Sequence, residues 1–493
     1  MGKKIKLHEK FLYEIWKGQN FSNDITTEEG EEIEVLNAGI KNKELGGPDF
    51  LNARIKIGSI TYLGDVEIDI LHSDWKNHGH YLNKKYNKVI LHIVLNNNSR
   101  YKFVHTQDNR KVPTVCLTNF LNNTLRKNIQ EAISSEHNTR MNKMLCFEIN
   151  QVVNEKEKLN FLYDLGLKRF KQKSEKMLLR LKELTYLKEL SIKEPVIKYD
   201  FGENFYNKNF TQAELSCKDI WLQLIYESIF EALGYSNNKD IMKNLAKSAN
   251  ISFLKKFRSN SEFISYIEAA LFNISGLLPD VSKLPDSETS TYTRKLYQIW
   301  TEIKKEYDGR MYHETQWHFF QMRPQNFPTI RIVGGARIVY RLINGNLIPQ
   351  ILHKIEDTSD MRDLARELRQ LLIVTAEDYW QRHYVFDQPS NDIIKNFIGT
   401  GRADEILINV LLPIISVYFD LFNRKNLSRK VIKLYVNFYQ ESDNKLVDEL
   451  SSALSLNGAW KRSILYQGLI ELFRNYCLNE KCLECKIGAK VFG

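Results

Sequence analysis

Apolar residues recur along the first hundred positions with two different periods. Between residues 7 and 17 they fall at Leu7, Phe11, Leu12, Ile15 and Trp16, with Glu9, Lys10, Glu14 and Lys17 on other faces. That is the spacing of an amphipathic helix. An acidic linker, TTEEGEEIEV, leads into a short strand near residues 33–36. The period then drops to two. Ala53, Ile55 and Ile57 alternate with Arg54 and Lys56; Gly58-Ser59 signals a turn; Ile60, Tyr62, Val66, Ile68 and Ile70 continue the alternation. Two half-buried strands are expected there. Ser73-Asp74 reads as a helix N-cap, with a short helix from Trp75 to Leu82. The nearly unbroken run VILHIVL at residues 89–95 marks a strand buried on both faces. Residues 101–117 add two more candidate strands.

From about residue 118 the helical period takes over. It includes a basic helix, LKRFKQKSEKMLLRLKEL, and long periodic segments at 212–234, 239–256, 260–277, 291–305, 360–383, 403–422 and 428–439. No internal repeat or low-complexity tract interrupts them. The expected fold class is therefore α+β: an α-β-β-β-α-β core, followed by a large α-helical region. The expected domains are residues 1–150 and 151–493.

At 493 residues the chain is long enough for two or three domains. The longest apolar run, residues 406–422, contains Asn409, Pro413 and Asp420. It is too short and too interrupted for a membrane span, and a buried helix kinked at the proline is expected instead. The N-terminus MGKKIKLHEKF has no apolar core of the kind a secretory signal needs. With only six cysteines, a cytoplasmic protein without a disulfide framework is expected. A net charge of +10 admits a polyanionic partner such as DNA or RNA, and serves solubility equally well.

Chemistry concentrates between Gly46 and Leu95. Asp65, Glu67 and Asp69 share one face of one strand, with Asp49 on the segment before it. Like charges so placed repel one another, and a divalent cation such as Mg²⁺ or Mn²⁺ relieves that. The alternative is a charged, solvent-facing edge strand.

Pro48-Asp49, a strand, a turn, then Asp65-Val66-Glu67-Ile68-Asp69 resembles the signature of the PD-(D/E)XK nuclease superfamily. The resemblance implies Asp49 and Glu67 as Mg²⁺ ligands, with Asp65 or Asp69 assisting. Glu14 corresponds to an extra acidic residue that some members use. The signature calls for Lys at position 69, where this chain has Asp. Either Lys56, His72, His78 or His92 supplies the missing function, or the domain binds without cutting. Face parity adds a condition. A two-residue turn at Gly58-Ser59 sets Asp49 opposite Ile68, on the face away from Glu67. A longer loop, a bulge at Gly64, or an irregular start at Pro48 must correct this.

Across nearly its whole length the chain also resembles an uncharacterised bacterial family, domain of unknown function 2851. The resemblance rests on GPDF at 47–50, NARIKIG at 52–58, GDVEI at 64–68, SDWKNHGH at 73–80, VILHIV at 89–94, RPQNFPTIRI at 323–332 and the cysteine-bearing end.

Three further groups are candidates. His72, His78 and His80 lie close in sequence and suit phosphate contact, proton transfer or a metal; structural use of Trp75 and these histidines is the alternative. Arg54, Lys56, Arg323, Arg337 and Arg341 are candidate nucleic-acid contacts, with Arg337 and Arg341 one helical turn apart. Pairing with acids such as Glu377 is the other use for them. Cys477, Cys482 and Cys485 form Cys-x4-Cys-x2-Cys. Such a group suggests Zn²⁺ or an iron–sulfur cluster, each usually held by four ligands. Cys146, Cys116, Cys217 or a histidine such as His383 must then supply the fourth. Free thiols are the alternative.

Overall fold

The computed structural model describes residues 9–19, 25–42, 47–120, 144–147 and 149–492, except 196, 198, 236, 286–287, 320–321, 391, 441–443, 457 and 459–460. The chain divides into two compact units. One comprises Met1–Arg140 with His318–Phe327, the other Met141–Trp317 with Pro328–Gly493. The fold is α+β: a mixed sheet with helices, then a large, mostly helical region.

In the first unit, helix α1 (Glu9–Gly18) precedes strands β1 (Ile33–Asn37), β2 (Ile40–Lys41), β3 (Phe50–Ile57) and β4 (Ile60–Leu71). A one-turn helix, α2 (Asp74–Asn77), opens the crossover to β5 (Val89–Asn96), and β6 (Phe103–His105) and β7 (Lys111–Cys116) follow. The sheet runs β1-β3-β4-β5-β7-β6, with β2 also paired to β3. Most pairs are antiparallel, but β5 runs parallel to both β4 and β7. A parallel neighbour on each side leaves β5 no edge, and its residues 89–94 are all buried.

The two sheet faces differ. Leu12, Ile15 and Trp16 of α1 pack on Ala53, Ile55, Val66, Ile68, Leu91 and Ile93. Alternation sends the intervening side chains to the opposite face, where the crossover packs around Trp75, Tyr86, Val89, Val104 and Val112. The side chain of Glu14 lies outside the described residues.

In the second unit the basic segment lies within one long helix, Glu155–Glu189. The expected proline kink takes another form. A π-helical turn, Leu407–Leu411, joins the helices Thr400–Ile406 and Leu412–Leu421 with helical backbone at both junctions, so Pro413 sits just after a π-bulge inside one continuous helical run. Pro328 does begin a helix, Pro328–Ile343. The neighbours of its glycine pair are side chains, not a second backbone. A Cβ on Gly335 would lie 2.6 Å from the Phe230 ring, and one on Gly334 3.0 Å from Ile398 Cγ1. No described helix is long and apolar enough to cross a membrane.

Candidate metal centre

Glu67 and Asp69 alternate with Val66, Ile68 and Ile70 on β4, so both carboxylates project from the face opposite α1. The parallel register sets Glu67 beside His92 on β5 and His92 beside Thr114 on β7.

A bulge brings Asp49 to the same face. Ile57 pairs with Ile60 and Ala53 with Gly64, as a two-residue turn requires, but Phe50 pairs with Val66. The extra residue lies in β3 at Leu51-Asn52. Asn52 takes the left-handed conformation (φ 55°), which Asn tolerates better than most residues. Its N–H donates to Asp65 Oδ1 at 3.0 Å, so Asp65 fastens the bulge. Beyond it, the Asp49 N–H donates to Glu67 Oε2 at 3.1 Å, and Asp49 Oδ2 accepts from the Ile68 N–H at 2.9 Å. Gly64 instead allows close packing between strands, since a Cβ there would sit 2.4 Å from Ile90 Cγ2 and 2.5 Å from the Lys88 carbonyl oxygen.

The crossover supplies the histidines. The helix expected to reach Leu82 ends at Asn77, and after Gly79 (φ 77°) the chain resumes as a 3₁₀ turn, His80–Leu82. Ser73 makes no side-chain cap; instead Asp74 Oδ2 accepts from the Leu71 N–H at 3.0 Å. The break at Gly79 removes the helix geometry that would send residues 78 and 80 to different faces. Both imidazoles turn to Asp69. His78 Nδ1 donates to Asp69 Oδ1 at 3.0 Å, and His80 Nε2 lies 3.7 Å from the same oxygen and 2.9 Å from Glu67 Oε1. His80 is buried between Trp75 and Tyr86, with ring centroids 5.4 and 4.2 Å away, and its Nε2 has no partner in hydrogen-bonding geometry. Among the described residues, Asp69, His78 and His80 form a group whose ligand atoms all lie within 4.8 Å of one another, a fit for a metal ion.

The surrounding residues fix charge states. His92 Nε2 meets Asp69 Oδ2 at 3.1 Å, and its Nδ1 meets Thr114 Oγ1 at 3.3 Å. Burial lowers the His92 pKa, with the Asp69 bond opposing, so His92 favours the neutral form. Burial also lowers His72, assisted by His92; its Nε2 donates to the Phe103 carbonyl at 3.2 Å. Asp69 is wholly buried, which opposes ionisation, but His80 together with bonds from His78 and His92 holds it well below the usual carboxylate range. Asp49 goes the other way. Burial, then the neighbouring Glu67, push it well above that range against bonds from Tyr13 and Ile68. One face thus holds an ionised aspartate and an aspartate that resists ionisation.

The other candidates are dispersed. Arg54 and Lys56 lie farther along β3 on the carboxylate face, where Lys56 meets Glu34 at 3.5 Å. Arg323 is exposed, and the next residue, Pro324, packs against Gly79. In the second unit Arg337 pairs with buried Glu268 and with Glu377, while Arg341 donates to the carbonyls of Leu371 and Ile373 at 3.0 Å. All six cysteines are unpaired, and the C-terminal ones form no group as compact as that at Asp69. The sequence pattern did not single out Thr114 or Tyr86; a Thr beside a strand His and a Tyr in a crossover carry no signal before the register is known.

The family described as Protein of unknown function (DUF2851) matches residues 9–216 and 207–444. No curated protein and no solved structure matches the chain. With the greater part of its length matched, this chain belongs to the DUF2851 family.

Proposed function

We propose that the first unit is a metal-dependent phosphodiesterase acting on DNA or RNA, its metal held by Asp69, His78 and His80. The observation that carries this reading is the compact group of one carboxylate and two imidazoles, buried on the sheet but reaching solvent at His78, whose side chain is 23% exposed. The order α1-β1-β2-β3-β4-α2-β5 carries one short strand more than the expected α-β-β-β-α-β core.

A divalent ion there supplies an activated water and stabilises charge on the phosphoryl oxygens. Two imidazoles in the set favour Zn²⁺, Fe²⁺ or Mn²⁺ over Mg²⁺. Glu67, beside His80, is placed to complete the ligand set or to accept the proton of the water. Asp49, whose burial and neighbour Glu67 disfavour its ionisation, is placed to donate one. Arg54, Lys56 and Arg323 offer phosphate contacts.

A second reading is favoured by one observation: Asp69, bonded to His78 and His92, stands where the signature calls for Lys. On that reading the unit binds nucleic acid and does not cut it.

Labelled single- and double-stranded DNA and RNA, incubated with the full chain and Mn²⁺, Zn²⁺, Fe²⁺ or Mg²⁺, separate the two. Cleavage that falls at least about 100-fold in Asp69→Asn is expected. Unchanged cleavage in that variant sinks the metal assignment. Salt-sensitive binding with no cleavage under any metal supports the second reading.

A further inference from the structure

Cys146 lies more than 300 residues before the Cys-x4-Cys-x2-Cys segment, yet the second unit brings them together. Cys477 closes a π-helical turn, Phe473–Cys477, and the chain then folds into tight turns, with the Glu480 N–H on the Cys477 carbonyl at 3.1 Å and the Cys485 N–H on the Cys482 carbonyl at 3.1 Å. The last helix, Lys486–Phe492, folds back over them. A Cβ on Gly488 would lie 2.3 Å from the Cys482 carbonyl oxygen. That helix packs on the turn Asn150–Val152, and Lys490 meets Glu157 at 2.5 Å. The same turn is fastened to Cys146, whose carbonyl accepts from the Asn150 N–H and Nδ2, each at 2.9 Å.

The four sulfurs lie within electrostatic reach of one another in every pairing. Cys146, Cys477 and Cys485 are buried and Cys482 is half-buried. A metal centre would hold four converging sulfurs as thiolates.

Spacing distinguishes the candidates. A tetrahedral zinc with Zn–S bonds of about 2.3 Å needs its sulfurs roughly 3.8 Å apart. No three of these sulfurs lie within 4.8 Å of one another. In a [4Fe–4S] cluster each thiolate binds a different iron, and a wider set fits. We infer that Cys146, Cys477, Cys482 and Cys485 are the ligands of an iron–sulfur cluster in the second unit.

The test is anaerobic reconstitution of the full chain with Fe²⁺ and sulfide, followed by assay of iron, acid-labile sulfide and visible absorption. Expected are iron and sulfide in near-equal amounts, with a broad visible band that dithionite bleaches. Cys146→Ser is expected to lose both as fully as Cys482→Ser, while Cys217→Ser keeps them. Cys482 is partly exposed, so its replacement leaves the core packing intact. Mössbauer spectra of the wild-type protein give a count that needs no variant: all irons sulfur-ligated supports the four-cysteine set, and one iron with a non-sulfur ligand overturns Cys146. Zinc bound in place of iron, full iron retention by Cys146→Ser, or no metal uptake overturns the inference.

Discussion

At the scale of single residues, Asp69 and Asn52 decide what the carboxylate strand becomes. Asp69 occupies the position where the nuclease signature calls for Lys, and it binds His78 and His92 while lying within 4 Å of His80. Asn52 decides whether Asp49 joins the same face. Its positive φ creates the extra residue in β3, and Asp65 fastens that residue through its N–H. Asn52→Gly is therefore expected to keep wild-type stability. Asn52→Val is expected to lose about 1–2 kcal/mol, because a β-branched residue is strained in the left-handed region. Urea unfolding measures the difference, and equal midpoints for the two variants would contradict the bulge. The sequence showed that parity needed correcting but not where. Gly64 was the obvious place for a bulge, yet it is required by Ile90 and Lys88 across the sheet, a contact between strands that local pattern does not encode.

At the scale of elements, alternation and the VILHIVL run were legible because a sheet writes its two faces directly into the sequence. The crossover was not. Trp75 to Leu82 carries enough apolar residues for a helix, but Gly79 breaks it, and the break is what lets both imidazoles reach Asp69. Gly79 is also the landing point for a segment more than 240 residues away, since a Cβ there would lie 2.9 Å from the Phe327 ring. Packing between such distant segments leaves no periodic trace. Gly79→Ala combines strain at positive φ with this overlap, and a cost of about 1–3 kcal/mol is expected. Because the sheet does not depend on Gly79, far-UV circular dichroism should stay unchanged while affinity for Mn²⁺ or Zn²⁺ drops. A variant that binds these ions as the wild type does would separate the histidine geometry from the glycine break.

At the scale of the whole chain, only part of the long helix's basic charge faces solvent, at Lys156, Lys168, Lys171, Lys176 and Lys188. Four of its bases turn inward, among them Lys158, which donates to Asn150 and to the Leu454 carbonyl. Arg169 bonds Gln467 and approaches Glu471, Lys173 bonds Asn409 and Gln467, and Arg180 holds Glu227, Glu183 and Glu194. A helix rich in Lys and Arg was legible as basic, but Glu471, Glu227 and Glu194, which meet it from outside, lie on other segments. Arg180 is the strongest case: its guanidinium binds Glu227 at 3.0 Å, and Glu227 is 2% exposed. Removing one partner of a buried pair leaves a desolvated charge, so Arg180→Met is expected to cost about 3–5 kcal/mol at neutral pH. Acid should shrink that deficit. Burial raises the Glu194 pKa, but Arg180 and Lys247 outweigh it and hold the carboxyl below its usual range. A carboxylate with a depressed folded pKa stabilises the protein above its unfolded value, about 4.3, and loses that contribution as pH falls through the folded one. The variant lacks the part due to Arg180 and has less to lose. Unfolding midpoints for the two proteins should therefore lie farthest apart at neutral pH and draw together as pH falls below about 4.3. A gap that does not change with pH would mean that Arg180 acts through its packing and not through its charge.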